Sequence, residues 1–353
     1  MLLPLLVVAA FASAVVPPGA VARATAAIPG SPAKLLGQRI MIALPGTTAT
    51  PAVLRRVRAG QVGGVILFSR NISSDRQVRA VTAALQGAAR AGGNPPLLIA
   101  TDQEGGEVRR FANGPFLDPP QIAAIGSTKF AFNEGWLTGR YLRARGVNVE
   151  LAPVVDVPTS SAAFIWQEGR AFSFNASDVA KYATSFALGV QAAGVAATAK
   201  HFPGVGSATV DTDFRLQELR PIAAQRKAAL RPYQSLIARG LDAVMVATSG
   251  FPAYDRSGTS AALSTPIIGG LLRGRLGFTG VVITDALNSP TGHNEIAGGV
   301  LAARAGADIV LFVDSGSGEL GALESAMGRG RITRAQAVAS YLRILALKQR
   351  LAR

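Results

Sequence analysis

Short apolar runs rich in β-branched residues recur along the chain from about Ala33 onward. They are Ile40–Leu44, Gly64–Phe68, Leu97–Thr101, Val147–Leu151, Val195–Ala199, Ala243–Ala247, Val281–Thr284 and Ile309–Phe312. Runs of this length suit strands and are too short for helices. Their apolar residues follow one another with little interruption, so the pattern predicts a sheet buried on both faces. Between them lie amphipathic stretches of helical period: Asp75–Ala91, Ser127–Arg145, Ser177–Ala192, Ile222–Arg239, Thr265–Arg273 and Glu295–Ala305. Ser74, Asn175 or Ser177, and Ser264 are placed to start helices. Gly146, Gly194, Gly240 and Gly306 follow helical runs, where a left-handed cap takes glycine. Eight strand-helix units in roughly 320 residues predict an α/β fold, a single (β/α)8 TIM-type barrel, with a doubly wound open sheet as the alternative.

Residues 1–30 stand apart from this pattern. Leu2–Val16 is almost wholly apolar and is closed by Pro17 and Pro18. Small-residue sites follow or overlap it, at Ala12-Ser13-Ala14, Ala22-Arg23-Ala24 and Ala24-Thr25-Ala26. This reads as a secretory signal, although no Lys or Arg precedes the run. The run is short for a membrane span. The expectation is therefore an export segment over 1–30, one barrel domain over 31–353, and a secreted or cell-envelope product with no stable membrane anchor.

Composition narrows the chemistry. Cysteine is absent, which excludes disulfides, a thiol nucleophile and a thiolate metal site. His201 and His293 are the only histidines, too few for a histidine metal cage, and neither metal nor organic cofactor is expected. The formal charge of +15 suits attraction to anionic polymers such as cell-wall material. The basic residues are scattered and not interleaved with aromatics, so nucleic acid is not an expected partner. A monomer is expected.

The polar residues that follow the apolar runs carry the candidate chemistry. After the fifth run comes Lys200-His201-Phe202-Pro203-Gly204, then Gly206, then Asp211-Thr212-Asp213. Three readings compete here: a solvated strand-to-helix loop, a phosphate-cradling turn, and a catalytic site. The second lacks both the dinucleotide fingerprint and the Lys-Ser/Thr ending of a P-loop. After the third run, Asp102-Gln103-Glu104-Gly105-Gly106 leads to Arg109-Arg110; a salt-bridged loop is the plain alternative, and Glu104 is read as a cap on the backbone amides of the turn. After the fourth, Ala152-Pro153-Val154-Val155-Asp156 leads to Gln167-Glu168-Gly169-Arg170-Ala171-Phe172. After the seventh, Asp285 is a lone carboxylate behind four apolar residues, where it must be hydrogen-bonded or poised for chemistry.

In this order the segments resemble the catalytic domain of glycoside hydrolase family 3, and within it the bacterial β-N-acetylglucosaminidases that trim wall sugars. The resemblance covers nearly the whole chain from about residue 33. It implies that Asp285 is the nucleophile of a retaining hydrolysis, forming a glycosyl-enzyme ester that water releases. It also implies that Asp102, Arg110, Arg170, Lys200 and His201 bind the sugar, while Asp156 braces neighbouring loops. Val205, Thr248 and Asp213 depart from the family by standing where histidine is usual. Asp213 is then expected as the acid/base, with Asp211 orienting or polarising it. Two functions follow: an exported glycosidase acting on β-linked N-acetylglucosamine or a related β-glycoside, or a carbohydrate-binding protein with weakened catalysis.

Overall fold

The computed structural model describes residues 28–313 and 317–352. The expected export segment lies, but for its last three residues, outside the described residues. Eight parallel strands form the centre: β1 Ile40–Ala43, β2 Gly64–Leu67, β3 Leu98–Thr101, β4 Val149–Glu150, β5 Ala196–Phe202, β6 Ala243–Val246, β7 Val281–Thr284 and β8 Val310–Phe312. Their order is β8-β1-β2-β3-β4-β5-β6-β7, and a bridge from Ile283 to Ile309 brings the ends together. The sheet is thus a (β/α)8 barrel.

Alternation along each strand divides two apolar layers. Met41, Ile66, Ala100, Val149, Met245, Ile283 and Leu311 pack inside the barrel. Ile40, Ile42, Val65, Leu67, Ile99, Val244 and Val282 face the surrounding helices. That double burial is why the strands read as continuous apolar runs.

A barrel helix follows each strand, with shorter helical turns in some of the connections: α1 Pro51–Arg58, α2 Asp75–Ala91, α3 Thr128–Arg143, α4 Ala176–Ala192, α5 Ala223–Ala238, α6 Pro266–Arg275, α7 Glu295–Ala305 and α8 Glu319–Gly328. Ser74 Oγ caps α2 by accepting from Gln77 N at 3.1 Å, and Asn175 Oδ1 caps α4 by accepting from Ser177 N at 2.8 Å. Ser264 Oγ accepts from Ile267 N at 3.2 Å at the head of α6, which is wound more loosely than an α-helix, with i→i+5 bonds such as Leu276 N to Leu271 O. Gly146, Gly194, Gly240 and Gly306 all have positive φ. Helices α3 and α4 approach closely because each offers a glycine: a Cβ on Gly135 would meet Phe186 O at 2.0 Å, and one on Gly189 would meet Phe132 O at 2.0 Å.

A last helix, α9 Arg334–Leu351, closes the bottom of the barrel with Ile344 and Leu347. Fully burying such a side chain contributes about 1.5–3 kcal/mol. Lys348 is buried beside them, donating to Gln38 Oε1 at 2.6 Å and Gly63 O at 2.9 Å.

Two strands differ from expectation. β4 is shorter; just before it the Asn148 side chain bonds the neighbouring strand, Oδ1 accepting from Ile99 N at 2.7 Å and Nδ2 donating to Leu97 O at 2.9 Å, while its backbone N donates to Ile99 O at 2.9 Å. β5 is longer and carries Lys200 and His201 within the strand, not on a loop beyond it.

Candidate active site

The polar residues gather at the C-terminal ends of the strands, where barrels of this kind place their sites. The segment after β3 continues as a small hairpin, Gln103–Gly105 with Val108–Arg109. Gln103 pins it. Its Nε2 donates to Asn113 O at 2.8 Å and Gly114 O at 2.7 Å, while Oε1 accepts from Phe111 N at 2.9 Å. With Gln103 turned to one side, Asp102 and Glu104 fall on the other, as the two-residue period of a strand requires.

Lys200 lies between them. Its Nζ is 2.7 Å from Asp102 Oδ1 and 2.7 Å from Glu104 Oε1. Arg170 grips Glu104 with both arms of its fork, Nε to Oε2 at 2.8 Å and Nη2 to Oε1 at 2.9 Å, and also reaches Glu168 Oε2 at 3.2 Å. Arg110 approaches Asp102 Oδ2 at 3.4 Å. Burial by itself would raise both carboxyls, but Arg170 and Lys200 hold Glu104 well below the usual carboxylate range, and Lys200 and Arg110 hold Asp102 below it. Burial would lower Lys200, yet Asp102 and Glu104 outweigh it and raise the ammonium above an ordinary lysine. The floor of the site is therefore a fully ionised, mutually paired network. This corrects the reading of Glu104 as an amide cap: its carboxylate serves two cations brought from distant strands and loops.

The Lys200–His201 peptide is cis, and both side chains line the same cavity. Asp156 holds the turn that follows. Its Oδ2 lies 2.8 Å from His201 Nδ1, and its Oδ1 accepts from Val205 N at 2.7 Å. Burial opposes protonation of His201, but Asp156 and, more weakly, Asp285 raise it above an ordinary histidine.

Asp285 follows β7. Its backbone N donates to Val246 O at 2.9 Å, and its Oδ1 accepts from Ala286 N at 2.9 Å. Burial first, and then the neighbouring Asp213, push the carboxyl up to about 6, against the pull of His201, the Ala286 amide and Lys200. Asp213 and Asp211 come from the segment between β5 and α5. Asp213 Oδ1 accepts from Ser289 Oγ at 3.0 Å, and its backbone N donates to Asp211 Oδ1 at 2.9 Å.

All eight residues singled out from the sequence, Asp102, Arg110, Arg170, Lys200, His201, Asp211, Asp213 and Asp285, line one cavity of about 260 Å³. Phe68, Phe164, Met245 and Leu311 supply its apolar wall. The volume suits one small polar ligand with an apolar face. Sequence reasoning gave Glu168 no role and missed Ser289 and Glu150. Glu150 is fully buried on β4; its Oε1 accepts from Gln103 N at 2.8 Å, and Oε2 finds no partner among the described residues. Burial pushes this carboxyl well above the usual range. It braces the hairpin from below. An acid inside an apolar strand carries no motif that could have revealed it.

Comparison with known proteins points the same way. The family described as glycosyl hydrolase family 3 N terminal domain matches residues 36–347. A secreted glycosyl hydrolase of Arthroderma benhamiae is 33% identical over 333 residues, covering 89% of this chain and 92% of its own length. A beta-hexosaminidase of Xylella fastidiosa is 37% identical over 285 residues, 77% of this chain and 82% of the relative. The structure of a glycoside hydrolase family 3 beta-N-acetylglucosaminidase from a Paenibacillus species superposes with a TM-score of 0.86 at 36% identity over 91% of this chain. This chain spans 62% of that one. The match runs from just before the first barrel strand into the helix that closes the barrel, and takes in every strand that feeds the cavity. The chain belongs to glycosyl hydrolase family 3.

Proposed function

We propose that this glycoside hydrolase is an exported, retaining enzyme that removes β-linked N-acetylglucosamine through an ester on Asp285. The observation that carries the reading is the pairing of two carboxyl groups at one cavity: Asp285, raised to about 6, and Asp213 beside it. In the first step Asp285 attacks the anomeric carbon while Asp213 gives its proton to the leaving oxygen. In the second, Asp213 takes a proton from water as the water oxygen displaces Asp285. Asp102, Lys200, Arg170, Arg110 and His201 bind the sugar hydroxyls on a floor whose charges are already balanced. The sugar follows from the names of the relatives, and wall glycan fragments are its natural source. Export rests on the apolar segment at residues 1–30 and on the secreted relative. Among the described residues no helix is long and apolar enough to cross a membrane.

A carbohydrate-binding role would follow from Asp213 standing where histidine is usual. The raised carboxyl of Asp285 argues against it, since a binder gains nothing from destabilising a carboxylate beside its ligand. A panel of aryl β-glycosides tests both. The expected outcome is phenol release that favours the N-acetylglucosaminide and gives product of retained configuration. Asp285→Ala should lower the rate by roughly 10³-fold or more. No release from any sugar, or a variant within tenfold of the parent, overturns the reading.

A further inference from the structure

An acid/base carboxyl on a loop needs something to aim it. Asp213 is shorter than an imidazole, and its neighbours do not pack the loop down: Phe214 is 81% exposed and Val210 45%. Asp211, the partner expected from the sequence, bonds the backbone N of Asp213 at 2.9 Å. That contact shapes the chain and leaves the direction of the Asp213 carboxyl open. The contact that sets it comes from Ser289, whose Oγ donates to Asp213 Oδ1 at 3.0 Å.

Ser289 is well placed for this. It is 6% exposed and lies four residues beyond Asp285 on the segment between β7 and α7. Its backbone N donates to Ala286 O at 3.1 Å, and Ala286 N donates to Asp285 Oδ1. One short turn thus carries the Asp285 carboxyl at its start and the Ser289 hydroxyl at its end. A hydroxyl can donate to an ionised carboxylate and accept from a protonated one, so the contact survives both steps of a retaining hydrolysis.

We propose that Ser289 is a positioning residue for the acid/base, tying the Asp213 carboxyl to the turn that carries Asp285 and filling the part the sequence gives to Asp211. The inference rests on the assignment of Asp213 made under Proposed function.

The test compares Asp213→Ala, Asp211→Ala, Ser289→Ala and Ser289→Thr on aryl β-glycosides of graded leaving-group acidity. Loss of the acid in Asp213→Ala should hurt poor leaving groups by something like 10²- to 10⁴-fold more than good ones. Ser289→Ala should follow in the same sense by about tenfold, and should move the alkaline limb of the kcat/KM profile to higher pH, because the lost hydroxyl favours the ionised carboxylate. Ser289→Thr keeps a hydroxyl and should restore both. Asp211→Ala should lose rate evenly across leaving groups. A graded Asp213→Ala with an ungraded Ser289→Ala overturns the role of Ser289 and leaves the acid/base assignment standing. A Ser289→Thr as impaired as Ser289→Ala also overturns it. An ungraded Asp213→Ala overturns the acid/base assignment, and the inference falls with it.

Discussion

Asp285→Asn should make the protein more stable at neutral pH and leave it unchanged in acid. In the folded protein the carboxyl is pushed up to about 6 from the 3.8 of a free aspartate, by burial and by Asp213, with His201 and Lys200 pulling the other way. Below 3.8 the group is protonated in both the native and the unfolded chain and costs nothing. Between 3.8 and 6 the unfolded chain ionises while the native state resists, so a cost accumulates. Above 6 that cost is complete and constant. A shift of about two units at about 1.36 kcal/mol each amounts to roughly 3 kcal/mol. Asparagine resembles the neutral acid in shape and never ionises, so the variant escapes this cost. Thermal unfolding of parent and variant between pH 4 and 8 reads it directly. For a chain of this size the gap should be roughly 5 °C at pH 8 and should close toward zero at pH 4. The same shift bears on the proposed mechanism: kcat/KM should fall above about pH 6, as the Asp285–Asp213 pair loses the one proton that the acid step uses. A gap that does not change with pH, or a variant less stable than the parent at pH 8, would show that the site stabilises the Asp285 charge and would refute the reasoning.

Other parts of the molecule make separate predictions. Glu104→Ala leaves Arg170 and Lys200 short of their shared carboxylate and should cost about 3–5 kcal/mol by denaturant unfolding. Arg110→Ala, which removes a longer and more exposed pair, should cost about 1 kcal/mol or less, and equal losses would contradict the network described. Burial depresses Lys348 to about 7 from 10.5, so the unfolded chain holds a proton that the native state has lost between those values, and stability should climb across that window. Lys348→Met should flatten the climb, and an unchanged slope would count against it. N-terminal sequencing of protein recovered outside the producing cell should find a start near residue 30, and an intact Met1 would exclude processing.

The eight strands were legible because both their faces are buried, which writes an uninterrupted apolar signature. Helix α1 was not, because Val53 and Val57 are its only buried residues and two positions cannot display a period. The cavity residues were legible as a set, since each lies at the end of a strand or on the segment that leads out of it, and a barrel brings those ends together. Pairings within the set were not. Glu104 and Arg170 are 66 positions apart, and local spacing around Glu104 offers a turn cap before it offers a distant guanidinium. Ser289 was invisible for the same reason: its partner lies 76 residues away, across two strands of the barrel.

The charges around the cavity bear on how, in the proposed mechanism, a carboxyl at position 213 could do the work expected of an imidazole. Six carboxylates and three fixed cations line it, in a chain that is positive overall. Asp102, Glu104 and Glu168 are matched by Lys200, Arg170 and Arg110, so the floor is neutral in sum. The unmatched charge falls on Asp211, Asp213 and Asp285, with His201 as the nearby group that can offset it. Repulsion is thereby concentrated between Asp285 and Asp213, and the pair keeps a proton to higher pH than an isolated aspartate would, as the shift at Asp285 reflects. In the proposed mechanism the substrate decides where that proton sits. Positive charge developing at the anomeric carbon favours an ionised Asp285. Negative charge developing on the leaving oxygen draws the proton to Asp213. Histidine would bring its own proton near neutral pH, whereas two aspartates need each other, which is why the geometry that holds them together matters to the chemistry.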